Sequence, residues 1–170
     1  MVEKKVRWKP ISIKSLLKTV VFEVEELSLE DLKNPSRRVD WYRIQADDWV
    51  NILPVTRQGQ AILIEQSRIG PMQDSLEIPG GSVEKGERDL MMAALNPNPA
   101  IMTNRCHYFL ALDCEPVAQP RHKQDELEDI KTRLVPVGDL DGLVRSGQIN
   151  HSLSALCIML AGKYLEKFIK

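Results

Sequence analysis

Apolar and polar positions along this chain change rhythm several times, and each change marks an element. Between residues 16 and 26 (LLKTVVFEVEE), Phe22 and Val24 alternate with Val21, Glu23 and Glu25. That is the period of two of a strand with one buried face. Residues 28–34 lose the period and read as a turn or short helical piece, with Asn34-Pro35-Ser36 as a breaker. Residues 38–45 (RVDWYRIQ) predict a second strand and residues 49–56 a third, in which Pro54 points to an edge or a bulge. Arg57-Gln58-Gly59-Gln60 is a hairpin turn into the apolar run of residues 61–66 (AILIEQ), expected as a buried strand. Residues 87–95 read as a short helix and 96–99 as a loop. Strands are expected at 105–112 (RCHYFLAL) and 131–135, with a polar loop at 116–125. A short helix is expected at 136–145, followed by Gly147. The last helix, capped by Asn150 or Ser152, should run to about Ile169 and bury Leu153, Leu156, Leu160, Tyr164 and Phe168.

The pattern is one of strands with a few interspersed helices and no internal repeat. It predicts an α/β chain of the α+β kind, a mixed sheet with helices on both faces. The strands of residues 1–45 look like an extension ahead of a main domain at 46–170. The length of 170 residues suits this arrangement, and 43% hydrophobic residues suffice for a packed core. A net charge of -1 gives no footprint for nucleic acid, and no apolar run is long enough to span a bilayer. The charged first ten residues lack the apolar stretch of a signal peptide. Cys106, Cys114 and Cys157 have no paired spacing, which speaks against a disulfide framework or a zinc site. A cytoplasmic, soluble protein without nucleic-acid or membrane partners is expected. Cys106 and Cys157 are read as small hydrophobes, and His107, His122 and His151 as core, loop and cap-region residues without a chemical role.

The candidate chemistry lies in Leu76-Glu77-Ile78-Pro79-Gly80-Gly81-Ser82-Val83-Glu84-Lys85-Gly86-Glu87. A short strand runs into a Pro-Gly-Gly turn, and a polar loop with a third glycine leads to Glu87. This stretch resembles the opening of the Nudix box, G-x5-E-x7-R-E-U-x-E-E-x-G-U, where U is bulky and aliphatic. Gly81 and Glu87 meet the first spacing, and Arg88 to Ala94 fill the seven free positions. Where Arg-Glu-U-x-Glu-Glu should follow, the chain reads Leu95-Asn96-Pro97-Asn98-Pro99-Ala100. Other segments, in the same order along the chain, resemble the ADP-ribose pyrophosphatase branch of the Nudix hydrolases. They are the hairpin with Gln66-Ser67-Arg68, the run from Asn96-Pro97 to His107-Tyr108-Phe109-Leu110, the acidic loop Asp125–Ile130, and Gly147-Gln148-Ile149-Asn150 before the last helix.

The resemblance implies metal-dependent hydrolysis of the pyrophosphate bond in a nucleoside-diphosphate-linked compound, with ADP-ribose or a nucleotide sugar as the leading candidate. It also implies Mg2+ or Mn2+ as cofactor and a homodimer formed through the N-terminal strands. These hold on condition that the second half of the box is supplied. Glutamates three and four positions apart share a helix face and can aim several carboxylates at one hard cation, which Leu-Asn-Pro-Asn-Pro cannot do. A chain without that segment is expected to be a Nudix-fold nucleotide-binding or regulatory module with strongly impaired hydrolysis.

By resemblance, Glu87 is the metal-proximal acid; the plain alternative is a first-turn acid favoured by the helix dipole. Glu126 and Glu128 are candidates for the catalytic general base, or else part of a solvated acidic run. Arg68 suits phosphate or ribose, or a surface ion pair. Glu77 is a substrate contact or a solvent-facing strand residue. Gly80 and Gly81 permit close backbone approach to a ligand, though any tight turn needs them too. Trp41, with Tyr42, offers a face for stacking a base; sheet packing or a dimer contact is the favoured alternative.

Overall fold

A computed structural model describes residues 6–82, 90–116 and 129–168. The chain divides into two compact units, Met1–Asp48 with Asn96–Arg105, and Trp49–Leu95 with Cys106–Lys170.

The first unit is an antiparallel sheet of three strands in sequence order, β1 (Trp8–Lys18), β2 (Phe22–Asp31) and β3 (Asn34–Ala46). The alternating stretch expected as one strand at 16–26 is in fact a hairpin. The Thr19 hydroxyl donates to Phe22 O and accepts from the N–H groups of Val21 and Phe22, closing the turn. Residues 28–31, expected as turn or helix, continue β2. The chain reverses only at Leu32-Lys33, where Asp31 accepts from the Lys33 N–H. Asn34-Pro35-Ser36 opens β3 instead of breaking it. Pro35 is tolerated there because the register with β2 shifts at the strand's start, so no ladder bond needs its missing N–H.

The second unit holds β4 (Trp49–Thr56), β5 (Gln60–Arg68), β6 (Gln73–Glu77), β7 (Gly80–Ser82), β8 (Leu90–Leu95), β9 (Cys106–Cys114) and β10 (Lys131–Pro136). The sheet order is β10-β5-β4-β9-β8, with β6 on β5 and β7 on β4. β4 and β9 are parallel and the other pairs antiparallel, so the sheet is mixed, as expected. Pro54 sits in a central strand, and the register against β9 shifts between Pro54 and Thr56, so its mark is the bulge and not an edge. Gly59, at φ 75°, makes the β4–β5 turn.

A 3-10 turn (Val137–Asp139) leads into α1 (Leu140–Arg145), and α2 spans Ser152–Leu165. Both helices contribute to one core with the inner sheet face, through Leu140, Cys157, Ile158, Ala161 and Leu165 against Leu53, Leu63, Tyr108 and Leu110. The buried face of α2 is offset from the leucine stripe. Leu153, Leu156 and Leu160 are only partly buried and Tyr164 is exposed, while the small Ser154, Cys157 and Ala161 let the helix lie close to the sheet. Cys106 and Cys157 are buried, as their small apolar reading anticipates, and burial pushes the Cys157 thiol up to about 12. His151, not Asn150 or Ser152, is the N-cap residue of α2, and it makes no side-chain cap bond.

The main departure from expectation is β8. Leu90–Leu95 was expected as helix and is strand, paired from Leu90↔Leu110 to Leu95↔Cys106. Leucine, methionine and alanine favour helices. Six such residues running straight into Asn96-Pro97 are too few for a stable helix, however, whereas β9 offers a free ladder. The chain passes through Ala94 and Leu95, where the box pattern stops, within this one strand.

Candidate functional site

A cavity of about 630 Å³ opens in the second unit where β5, β6 and β7 meet the start of α2. Arg68 ends β5, Glu77 ends β6, Gly80 and Gly81 begin β7, and His151 precedes α2; all line the cavity. Strand pairing fixes this arrangement. The β5–β6 ladder places Gln73 opposite Arg68 and Glu77 opposite Ile64, and the β4–β7 ladder places Gly80 opposite Asn51 and Gly81 opposite Val50.

Gly80 is required here. A Cβ at that position would lie 2.8 Å from Val50 O, whereas a Cβ on Gly81 would meet nothing within 4 Å. The two glycines that the sequence could not tell apart therefore differ. One is imposed by packing against β4, and the other leaves the cavity wall bare.

Glu77 is not solvent-facing. Its side chain is 2% exposed. Arg68 forks onto it, Nε donating to Oε1 at 2.8 Å and Nη2 to Oε2 at 2.6 Å. His151 Nδ1 lies 3.2 Å from Oε2 and 2.9 Å from the Ser154 hydroxyl. Burial alone would push the Glu77 carboxyl up, but hydrogen bonds from Arg68, His151 and Ser75, with the charge of His151, hold it well below the usual carboxylate range. Arg68 is ion-paired, with a buried partner. It is a half-exposed guanidinium anchored on a buried acid. Ser75 also reaches toward α2, donating to Asn150 Oδ1 at 3.2 Å.

Trp41 belongs to the other unit, on β3, with its ring exposed and its indole N–H 3.4 Å from Ala100 O. Glu87, Glu126 and Glu128 lie outside the described residues. Among the described residues, no three His, Cys, Asp or Glu side chains gather as ion ligands. Glu77, the one carboxylate among the described residues that line the cavity, accepts from Arg68 at both oxygens and faces His151, and the candidate metal ligand Glu87 lies outside those residues. A second hollow of about 410 Å³ by β5, β6 and β10 is lined by charges paired with one another, Arg133 with Glu65 and Lys131 with Asp129.

His151 is the residue that sequence reasoning missed. Neither spacing nor composition sets it apart. Only its place just after Gly147-Gln148-Ile149-Asn150 hinted at the site, because those residues resemble a family segment.

No family model matches the chain. A curated relative from Bacillus subtilis (strain 168), ADP-ribose pyrophosphatase, is 26% identical over 172 residues, covering 88% of this chain and 92% of its own. The match spans more positions than the share of this chain that it covers, so the relative carries segments without counterpart here. A solved structure titled as an ADP compounds hydrolase superposes with a TM-score of 0.81 at 17% identity, covering 95% of this chain and 96% of that one. That likeness establishes the fold. In the order of its sequence segments and in its architecture, the chain resembles the ADP-ribose pyrophosphatase-like Nudix hydrolases.

Proposed function

We propose that the cavity of the second unit binds a nucleoside diphosphate linked to a second group, with ADP-ribose or a nucleotide sugar as the leading candidate. We further propose that this chain holds such compounds with hydrolysis strongly reduced. The observation that carries the binding reading is the Arg68–Glu77 fork beside the bare Gly81 wall. A guanidinium held in place by a buried acid is preorganised to present its remaining N–H groups to a multiply charged anion such as a diphosphate, and an open glycine lets that anion approach the backbone. The reduced turnover follows from β8. The carboxylates of the second half of the box are absent from the sequence, and the residues at that point are committed to a strand. The names of the relatives support an ADP compound as ligand.

A hydrolase reading is favoured by a different observation, Glu87 at the box spacing from Gly81 with Glu126 and Glu128 as candidate bases. One pair of assays separates the two. Calorimetry should detect ADP-ribose binding with magnesium absent, and chromatography should find no magnesium- or manganese-dependent release of AMP. Release of AMP that needs the metal would restore the hydrolase. Absence of binding by ADP-ribose and by a panel of nucleotide sugars would end the binding reading. In the same scheme residues 1–45 serve a homodimer. The exposed apolar side chains Ile11, Ile13, Leu16 and Leu17 of β1 are consistent with that role, and a monomeric mass in sedimentation would exclude it.

A further inference from the structure

Asn51 lines the cavity from β4, opposite Gly80 on the β4–β7 ladder, and is only 5% exposed. Its Nδ2 donates to the buried Cys106 Sγ at 3.1 Å. That bond fixes the amide and turns Oδ1 toward Gly80, where an added Cβ would come within 3.1 Å of it. Among the described residues no donor reaches Oδ1. The sealed side-chain atoms without a partner there are Asn104 Oδ1 and Tyr108 OH, and Asn51 Oδ1 is not one of them. It therefore opens onto the cavity that its residue lines.

The surroundings of this acceptor are apolar. Trp49, two residues earlier, projects from the same face of β4. Cys157 Sγ packs 4.0 Å from Asn51 O, and Leu153 sits one turn before Cys157 on that face of α2. The Ile78 N–H donates to the Ser154 hydroxyl at 3.4 Å, which holds Ile78 beside the start of α2. Trp49, Ile78 and Leu153 all line the cavity. One fixed acceptor on an apolar wall orients a ligand through a single donor and packs the rest of it. Gly80 and Gly81 are consecutive, with Cα atoms about 3.8 Å apart. A diphosphate lying against Gly81 therefore leaves the group esterified to it beside Asn51. In a nucleoside-diphosphate-linked sugar that group is itself a sugar, which brings hydroxyl donors and an apolar ring face.

We propose that Asn51 is a specificity residue of this cavity, and that its Oδ1 accepts from a hydroxyl of the sugar esterified to the diphosphate. The sugar ring packs against the apolar wall, so the site selects a hydroxylated ring over one stripped of its hydroxyls. This rests on the reading that the cavity takes a nucleoside-diphosphate compound.

The test is calorimetry of the full chain with three ligands of equal charge. They are ADP-ribose, its form without hydroxyls on the nucleoside ribose, and its form without hydroxyls on the distal ribose. Wild type should bind one of the stripped forms about tenfold more weakly than ADP-ribose, the effect of one hydrogen bond left unmade to a buried acceptor. Asn51→Leu removes the acceptor at nearly constant volume in an apolar setting. It should bind ADP-ribose about tenfold more weakly than wild type does, and that same stripped form no more weakly than it binds ADP-ribose. The loss that Asn51→Leu silences identifies which ribose donates. Asn51→Val, whose β-branched side chain suits a strand, should repeat the result if leucine disturbs the fold. If neither stripped form binds wild type more weakly, or if both variants keep the wild-type losses, Asn51 is not the acceptor and the inference fails while the binding reading stands. If wild type binds no ADP-ribose or nucleotide sugar, the binding reading fails and takes the inference with it.

Discussion

Among the described residues, each unit buries one carboxylate under an arginine, and the two pairs differ in an instructive way. In the first unit Arg7 forks onto Asp31, with Nη2 to Oδ2 at 2.7 Å, and the face of Arg7 lies 5.3 Å from the Trp8 ring. The Lys33 N–H completes the coordination of Asp31 from the adjacent turn. Every partner is local to the β1–β2–β3 sheet, where Arg37 of β3 adds its charge to that of Arg7, and the cluster locks a turn. In the second unit Arg68 forks onto Glu77 in nearly the same geometry, but the further partner is His151, delivered from 74 residues along the chain by the packing of α2. That acid meets two bases beside an open cavity. A clamp closed within one sheet reads as structure, whereas a clamp assembled from distant elements beside a cavity reads as a site.

The comparison breaks most sharply at its arginines. Arg68→Ala leaves a buried acid with only His151 and Ser75, so urea unfolding should show a loss of about 3 kcal/mol, near the low end for breaking a buried pair. Nucleotide binding should disappear with it. Arg7→Ala should also lower the unfolding midpoint yet leave ADP-ribose affinity unchanged. Equal losses of binding in both variants would erase the distinction.

Next in size come the two glycines. Gly80→Ala forces a methyl group against Val50 O and should cost about 1–3 kcal/mol, as overpacking does. Gly81→Ala should be nearly neutral in thermal melts, because its Cβ meets open space. A larger loss at Gly81 than at Gly80 would mean that the turn is packed differently.

Acid sets the clamps against each other more gently. Asp31 is lowered to about 2, chiefly by its hydrogen bonds from Arg7 and from the Lys33 N–H; Glu77 is also lowered, because its hydrogen bonds overcome burial. Both folded values lie below the unfolded ones. The stability that each carboxylate contributes is therefore complete above the ordinary carboxylate range and is lost as pH falls toward the folded value. Urea midpoints should fall steadily from about pH 5 to about pH 2, and Asp31→Asn should flatten part of that slope. A midpoint that holds level to about pH 2 would contradict both clamps.

The smallest effect is expected at a polar group with no clamp. Tyr108 OH is buried and has no hydrogen-bond partner among the described residues. Tyr108→Phe should change the melting temperature little, or raise it, within about 1 kcal/mol. A loss beyond that would reveal a partner for the hydroxyl.

The chain by itself determined β4, β5, β6, β9 and β10 of the second unit, because Val, Ile and Leu runs bounded by Gly59 and by the Pro-Gly-Gly turn have few other solutions. It also determined that the acids of a complete Nudix box are missing, and it singled out Arg68, Glu77, Gly80 and Gly81, which the fold then gathers at one cavity. Other features were beyond it. Residues 90–95 favour a helix by propensity and become a strand because β9 supplies backbone partners and the proline that follows denies the helix its length. Glu77 reads as exposed by its neighbours in sequence, and only the covering by α2 buries it. His151 looks like a cap residue and becomes a partner of that acid because helix packing sets side chains face to face at a range no local pattern records. Local propensity acts over a few residues, while the partners of Glu77 come from β5 and from the start of α2, which meet only when the core closes.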